Sequence, residues 1–144
     1  MNILIINGPN LSRLDIRDSS IYGDLSYQEL VALITSHAST LGLTVDVRQS
    51  DDEAQIIRWL HEAADSNTPV IINPAAFTHY SYAIRDAAQM LKAPLIEVHL
   101  SNPLSREEFR HTSVISGVAS GTIAGFGPNS YILALDAMRN LLQK

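Results

Sequence analysis

The sequence predicts an α/β protein in three layers, with a five-stranded parallel sheet between two layers of helices. Three observations carry this expectation. Apolar runs of strand length alternate five times with stretches of helical period, the sign of repeated βαβ units. The 144 residues suffice for one core and leave no room for a second, so residues 1–144 are expected to form a single domain. Right-handed crossovers then leave few strand orders, of which 2-1-3-4-5 is the commonest at this length.

Each element has its own justification. Strand one, Ile3–Ile6, is an unbroken apolar run that stops at Asn7-Gly8-Pro9. Ser26 with Glu29 matches a capping box and opens a helix whose stripe is Leu30, Leu33, Ile34, Ala38 and Leu41. Strand two is Leu43–Arg48, and the next stripe is Ile56, Ile57, Leu60 and Ala64. Strand three, Val70–Asn73, is followed by a third stripe through Tyr80, Ala83, Ile84, Ala87 and Leu91. Strand four is Leu95–His99; after it Ser105 with Glu108 again matches a capping box and predicts a short extra helix. Strand five is Thr122–Phe126, and a last stripe runs through Tyr131, Leu135, Met138 and Leu142. The pattern as a whole is flavodoxin-like.

Composition removes several classes of function. A hydrophobic share of 46% without low-complexity tracts implies a compact domain rather than a disordered one. The formal charge of −5 speaks against a nucleic-acid partner. No apolar stretch approaches the roughly 20 residues that span a bilayer, and Met1–Ile6 is too short for a signal core, so a cytoplasmic, membrane-free chain is expected. Without cysteine there is no disulfide, thiolate nucleophile or cysteine zinc site, and the two lysines, Lys92 and Lys144, leave almost no candidate for a Schiff base.

The fold says where to look for function, because open α/β sheets bind ligands beyond the carboxyl ends of their strands. There the chain is polar: Asn7-Gly8-Pro9-Asn10-Leu11 after strand one, Asn73-Pro74-Ala75-Ala76-Phe77-Thr78-His79 after strand three, and His99-Leu100-Ser101-Asn102 after strand four. The first connection, with a loop over about residues 11–25 carrying Arg13, Arg17 and Tyr22, is too long for a simple βα link and reads as a lid. Strand four is itself unusual. Its alternation puts Glu97, His99 and Ser101 on one face and Ile96, Val98 and Leu100 on the other. Such a row belongs either to a wet edge strand or to a paired, used polar cluster. His37, His61 and His111 lie on stretches without partner motifs and read as structural or surface residues.

The ordered set Asn7-Gly8-Pro9-Asn10-Leu11, Arg17, Tyr22-Gly23, Arg48-Gln49-Ser50, Asn73, Thr78-His79, Arg85-Asp86, Glu97–Asn102 and Arg106–Arg110 closely resembles type II 3-dehydroquinate dehydratase. The resemblance runs nearly end to end, through Gly121, Gly125 and Gly127 to the last helix. It implies a cofactor-free and metal-free dehydration of 3-dehydroquinate to 3-dehydroshikimate in the shikimate pathway, and a dodecamer built from trimers. The same reaction in quinate breakdown, or a non-catalytic binding module on this fold, stays open as an alternative. A flavin carrier would need a hydroxyl- and glycine-rich phosphate loop after strand one, and a receiver domain would need clustered acids there; neither is present.

Dehydrating a β-hydroxyketone needs a base beside the carbonyl, stabilisation of the enolate, and an acid for the leaving hydroxyl. The resemblance implies Tyr22 as base. A phenol ionises near pH 10 in water, so this use requires roughly 4 kcal/mol of favourable interaction, which a guanidinium such as Arg17 supplies. The alternative is a loop tyrosine packed as an anchor. His99 is the acid by resemblance, with Glu97 on its own strand face to fix its tautomer; a core histidine satisfied by a carboxylate would look the same. Asn10 and Asn73 offer amide donors, Asn10 toward a water at the enolate oxygen, although both residue types also make turns. The substrate carboxylate is expected at the Leu100 and Ser101 backbone, the Ser101 hydroxyl and the helix opened by Ser105. His79 and Arg110 are implied contacts to the ring, and Arg106 is either a further contact or a solvated side chain. Asp86 points away from its own core and, by the resemblance, reaches a neighbouring subunit's site across a trimer contact; otherwise it is a solvated carboxylate.

Several positions depart from the family pattern. The lid reads Leu14-Asp15-Ile16-Arg17-Asp18-Ser19, without the glycine and proline common at Asp15 and Ser19. Pro74-Ala75-Ala76 lacks a usual glycine, Tyr80 stands where a small residue is common, and Asp51-Asp52-Glu53-Ala54 replaces an Asn and a Gly.

Overall fold

The computed structural model describes residues 1–144. Five parallel strands, β1 (Asn2–Asn7), β2 (Thr44–Gln49), β3 (Val70–Asn73), β4 (Leu95–His99) and β5 (Gly121–Ala124), lie in the order β2-β1-β3-β4-β5. The helices are α1 (Ser19–Tyr22), α2 (Tyr27–Thr40), α3 (Glu53–Ser66), α4 (Tyr82–Gln89) and α5 (Asn129–Leu142). Strand alternation sorts the apolar residues into two cores. Ile3, Ile5, Ile71, Ile96 and Val98 pack against Ile34 of α2 and Tyr131, Leu135 and Met138 of α5. Leu4, Ile6, Val70, Ile72 and Leu95 pack on the opposite face against Ile56 and Leu60 of α3 and Ile84 and Ala87 of α4. β1 and β3 are thus apolar on both faces up to their last residues, as buried parallel strands require.

Local chemistry sets the helix ends. Ser26 accepts from the Glu29 N–H while Glu29 reaches back to the Ser26 N–H, so the predicted capping box forms at α2. Asp52 caps α3 by accepting from Ala54 N–H, and Asn67, with φ of 55°, ends that helix in the left-handed conformation.

Three sequence expectations need correction. The Ser105–Glu108 capping box does not form: Ser105 closes a short 3₁₀ turn (Pro103–Ser105) and its hydroxyl donates to the Asn102 carbonyl, while a separate turn covers Glu108–Arg110. Pro103 begins that turn and Asn102 caps it, so no helix opens at Ser105 to receive an anion. The third helix starts at Ser81, which accepts from Ile84 N–H; Tyr80 precedes it, exposed and edge-on to Phe77, and Ala83 faces out. Strand five ends at Ala124 because Gly125, with φ of 97°, turns the chain away and leaves Phe126 exposed.

The exits of β1 and β3 touch. A Cβ on Gly8 would lie 2.6 Å from the Pro74 carbonyl oxygen, so only glycine fits there. Ala75 itself sits at φ of 54°, a conformation that disfavours an L side chain by about 1–2 kcal/mol. Ala75→Gly is expected to raise stability by about 0.5–1 kcal/mol after the entropy of the unfolded chain is counted, and Gly8→Ala to lower it by about 1–3 kcal/mol. Urea unfolding measures both, and a loss of stability in Ala75→Gly would contradict the left-handed turn.

Candidate active site

At the carboxyl ends of the strands a polar crevice opens where β1, β3 and β4 release the chain. Asn10, Arg17 and Tyr22 reach it from the first connection, Asn73 and His79 from the exit of β3, and His99, Leu100, Ser101, Arg106 and Arg110 from the exit of β4. Two of the residues singled out in the sequence do not line it. Glu97 lies behind His99, and Asp86 is exposed on α4 with no hydrogen bond or ion pair within its own chain.

β4 lies between β3 and β5, so its polar face is not that of an edge strand. Glu97 has no exposed surface, yet each of its oxygens is occupied. His99 Nε2–H donates to Oε2 at 2.5 Å and the Thr78 hydroxyl donates to the same oxygen at 2.5 Å. The Ser116 hydroxyl donates to Oε1 at 2.6 Å, and Ser113 approaches both oxygens at 3.0 and 3.1 Å. Burial alone pushes the Glu97 carboxyl up, but the hydrogen bond and charge of His99 and the hydroxyl donors outweigh it and hold the group below the usual carboxylate range. With Nε2 engaged, Nδ1 is the His99 nitrogen left for the crevice.

His79 is held differently. Its Nδ1–H donates to the Thr112 carbonyl at 2.9 Å. Burial moves its imidazole below the ordinary value of 6.5, with His99 adding to the fall and the Thr112 bond opposing it. A neutral ring with Nδ1 protonated offers Nε2 as an acceptor for a hydroxyl.

The opposite wall is cationic. Tyr22 ends α1, and the Arg17 guanidinium stacks over its ring at 3.6 Å from the centroid. Arg106 donates from Nη2 to the Tyr22 oxygen at 2.7 Å and from Nη1 to the Ser101 hydroxyl at 3.1 Å. Burial lowers the Arg17 guanidinium from its usual value, Tyr22 opposes the fall, and Arg106 and Arg110 add to it; an arginine nonetheless stays charged. Arg110 is partly neutralised by Glu107, 2.6 Å from its Nε.

The asparagines are fixed by their surroundings. Tyr131, fully buried, donates to Asn7 Oδ1 at 2.6 Å and accepts from Asn73 Nδ2 at 2.9 Å, while Asn73 Oδ1 accepts from Ala75 N–H at 3.1 Å. Asn73 therefore makes its turn and still has one amide hydrogen to offer the crevice. Asn10 adopts φ of 70°, its N–H donating to Asp51 at 2.9 Å, which leaves its side-chain amide at the mouth.

Sequence reasoning left Arg106 undecided and missed Thr78, Ser113, Ser116, Asp51 and Tyr131 as supports of the site. Arg106 and Thr78 had a local signal, their places in the Arg106–Arg110 and Thr78-His79 motifs; the others act across separations of 16 to 124 positions.

The sequence matches the family described as dehydroquinase class II over residues 1–139. It is 54% identical over 135 residues to a 3-dehydroquinate dehydratase of Mycobacteroides abscessus, which covers 94% of this chain and 94% of that protein. Among solved structures, type II dehydroquinase from Propionibacterium acnes has a TM-score of 0.94 at 51% identity, over 96% of each chain. Type II dehydroquinase from Butyrivibrio crossotus has a TM-score of 0.93 at 46% identity, over 96% of this chain and 97% of that one.

Because the folded state holds Glu97 below its unfolded value, the stability it contributes is present above about pH 4.5 and is lost as pH falls through the folded pKa. As pH falls below about 4.5 the wild type should lose stability more steeply than Glu97→Gln, so that the gap between their urea midpoints narrows on acidification. A constant gap would mean that the buried carboxyl is not ionised.

Proposed function

We propose that this chain, which belongs to the dehydroquinase class II family and dehydrates 3-dehydroquinate to 3-dehydroshikimate in the shikimate pathway, does so through an enolate, with Tyr22 as base and His99 as acid. The observation that carries the residue roles is the separation of opposite chemistries across one crevice. A phenol flanked by two guanidinium groups stands on one side, and an imidazole backed by a buried carboxylate on the other.

Arg106 and Arg17 put positive charge beside the oxygen and ring of Tyr22, where it favours the phenolate that takes the proton next to the ketone and becomes neutral in doing so. The electron pair of that C–H bond moves into the carbonyl to give the enolate, near which the Asn10 amide positions a water. Collapse of the enolate expels the β-hydroxyl, which leaves as water with a proton from His99 Nδ1. Glu97 stabilises the charged imidazole that gives this proton and fixes which nitrogen faces the substrate. No lysine lines the crevice, which favours this route over an imine.

The remaining residues have binding roles in this reading. Ser101 and the Leu100 backbone receive the substrate carboxylate, Asn73 supplies its spare amide hydrogen, and His79 accepts from a ring hydroxyl while Arg110 donates to one. Asp86, exposed and unpartnered, completes a neighbouring subunit's site in a trimer, four of which form a dodecamer. No helix is long and apolar enough to cross a membrane; a cytoplasmic location fits a step of small-molecule biosynthesis in a chain without cysteine.

The direct test follows enone absorbance after adding 3-dehydroquinate. Tyr22→Phe should lower kcat by about 10²-fold or more while the protein stays folded; retention of more than about a tenth of the rate would remove tyrosine as the base. Arg17→Ala and Arg106→Ala should each lower kcat by roughly tenfold to a thousandfold. Asp86→Ala and Tyr22→Phe subunits, each poorly active alone, should recover activity when mixed, because some sites then hold both intact groups. If exchange is confirmed and no activity returns, Asp86 lies outside the neighbouring site.

A further inference from the structure

We propose that Ser113 and Ser116, on the loop 111–118 before β5, are positioning residues that act through Glu97 to hold His99 as a proton donor. This rests on the assignment of His99 as the acid and extends it to residues that touch neither substrate nor His99.

An ionised carboxylate offers about four acceptor positions. Glu97 meets four donors: His99 Nε2–H, the Thr78 hydroxyl, the Ser116 hydroxyl and the Ser113 hydroxyl. Ser113 has no freedom to turn away. Its oxygen accepts from Ile115 N–H at 3.1 Å and Ser116 N–H at 3.0 Å, which uses both lone pairs. Its single proton is therefore left on the side of Glu97 and Thr78, whose hydroxyl lies 2.9 Å away. Thr78 gives its own proton to Glu97 and so stands only as a competing acceptor. The turn at Ser113 thus aims hydrogen toward an anion, and Ser116, the residue whose N–H closes that turn, adds its hydroxyl to Oε1 at 2.6 Å.

The loop is itself anchored to the site. Val114 N–H donates to the Thr78 carbonyl at 2.7 Å, and Arg85 Nη1 donates to the Val114 carbonyl at 3.1 Å. Thr112, one residue earlier, presents the carbonyl that orients His79. A buried carboxylate that lost one of these donors would keep its desolvation cost with less to offset it. It would then support positive charge on His99 less well and hold the ring less firmly. Binding of substrate, which these serines do not contact, would be spared.

Ser116→Ala is the cleaner variant, since Ser113 also supports its own turn. We expect kcat to fall about tenfold with KM within twofold of wild type, and Ser116→Thr, which restores a hydroxyl, to recover most of the rate. In a Glu97→Gln background the further change Ser116→Ala should alter kcat by less than twofold, because the carboxylate it serves is gone. An unchanged kcat in Ser116→Ala, or an equal loss in both backgrounds, overturns the proposal. Should Ser116→Ala fail to fold, Ser116→Cys, which keeps the side-chain shape with a much weaker donor, carries the same comparison with the same outcomes. Wild-type turnover of 3-dehydroquinate and the Tyr22→Phe loss are read in the same assay. Absence of wild-type turnover overturns the underlying reading and this proposal with it, whereas normal turnover with an indifferent Ser116→Ala overturns this proposal alone.

Discussion

A carboxylate without exposed surface, inside a parallel sheet, is the constraint around which the site is arranged. Unpaired, Glu97 would cost several kcal/mol, and the chain answers with donors from three places. His99 comes from the same strand, Thr78 from the turn after β3, and Ser113 and Ser116 from the loop before β5. Satisfying one anion therefore fixes β4 and the two connections relative to one another. The imidazole proposed as acid and the His79 ring both take their orientation from those connections. The cost of burying charge is turned into rigidity where proton transfer needs it.

The cationic wall obeys the opposite logic. The chain is acidic overall, with a formal charge of −5, yet Arg17, Arg106 and Arg110 converge on one crevice. Crowding three guanidinium groups is unfavourable without acceptors among them; the Glu107 carboxylate meets Arg110, and the Tyr22 hydroxyl oxygen accepts from Arg106. An anionic substrate would relieve the remaining repulsion, so the arrangement favours a bound carboxylate.

The fold was legible because it follows from local periodicity. β1, β3 and β4 and the α2 capping box are written in consecutive residues, and the alternation Glu97–Ser101 by itself marks the polar face of β4. What the pattern left open was whether that face was wet or used; its central place in the sheet and its four donors favour use. Local reasoning erred where two signals competed within a few residues: Ser105 and Glu108 have capping-box spacing, but Asn102-Pro103 just upstream starts a tighter turn first. Tyr80 matched the helical stripe, yet Ser81 caps the helix after it. Ser113, Ser116, Asp51 and Tyr131 were invisible for a different reason. Each is an ordinary polar residue in its own neighbourhood, and its partner is set by topology rather than spacing.

The first connection shows how an unusual residue of this chain restores part of what is replaced. Without proline at Ser19 or glycine at Asp15, the segment between β1 and α2 lacks its common rigid and flexible points. Asp18 supplies the first by capping α1, accepting from both the N–H and the hydroxyl of Ser20 at 3.0 and 2.7 Å. Arg13 and Asp15 pair at 3.1 Å on the exposed side, a contact worth little by itself. Gly23 follows with a φ of 92°, which no L side chain adopts readily, and it packs so closely on Pro128 that a Cβ would lie 3.0 Å from its Cδ. Tyr22 thus sits between a capped helical turn and a glycine fixed in the left-handed region, with Arg106 holding its oxygen at 2.7 Å.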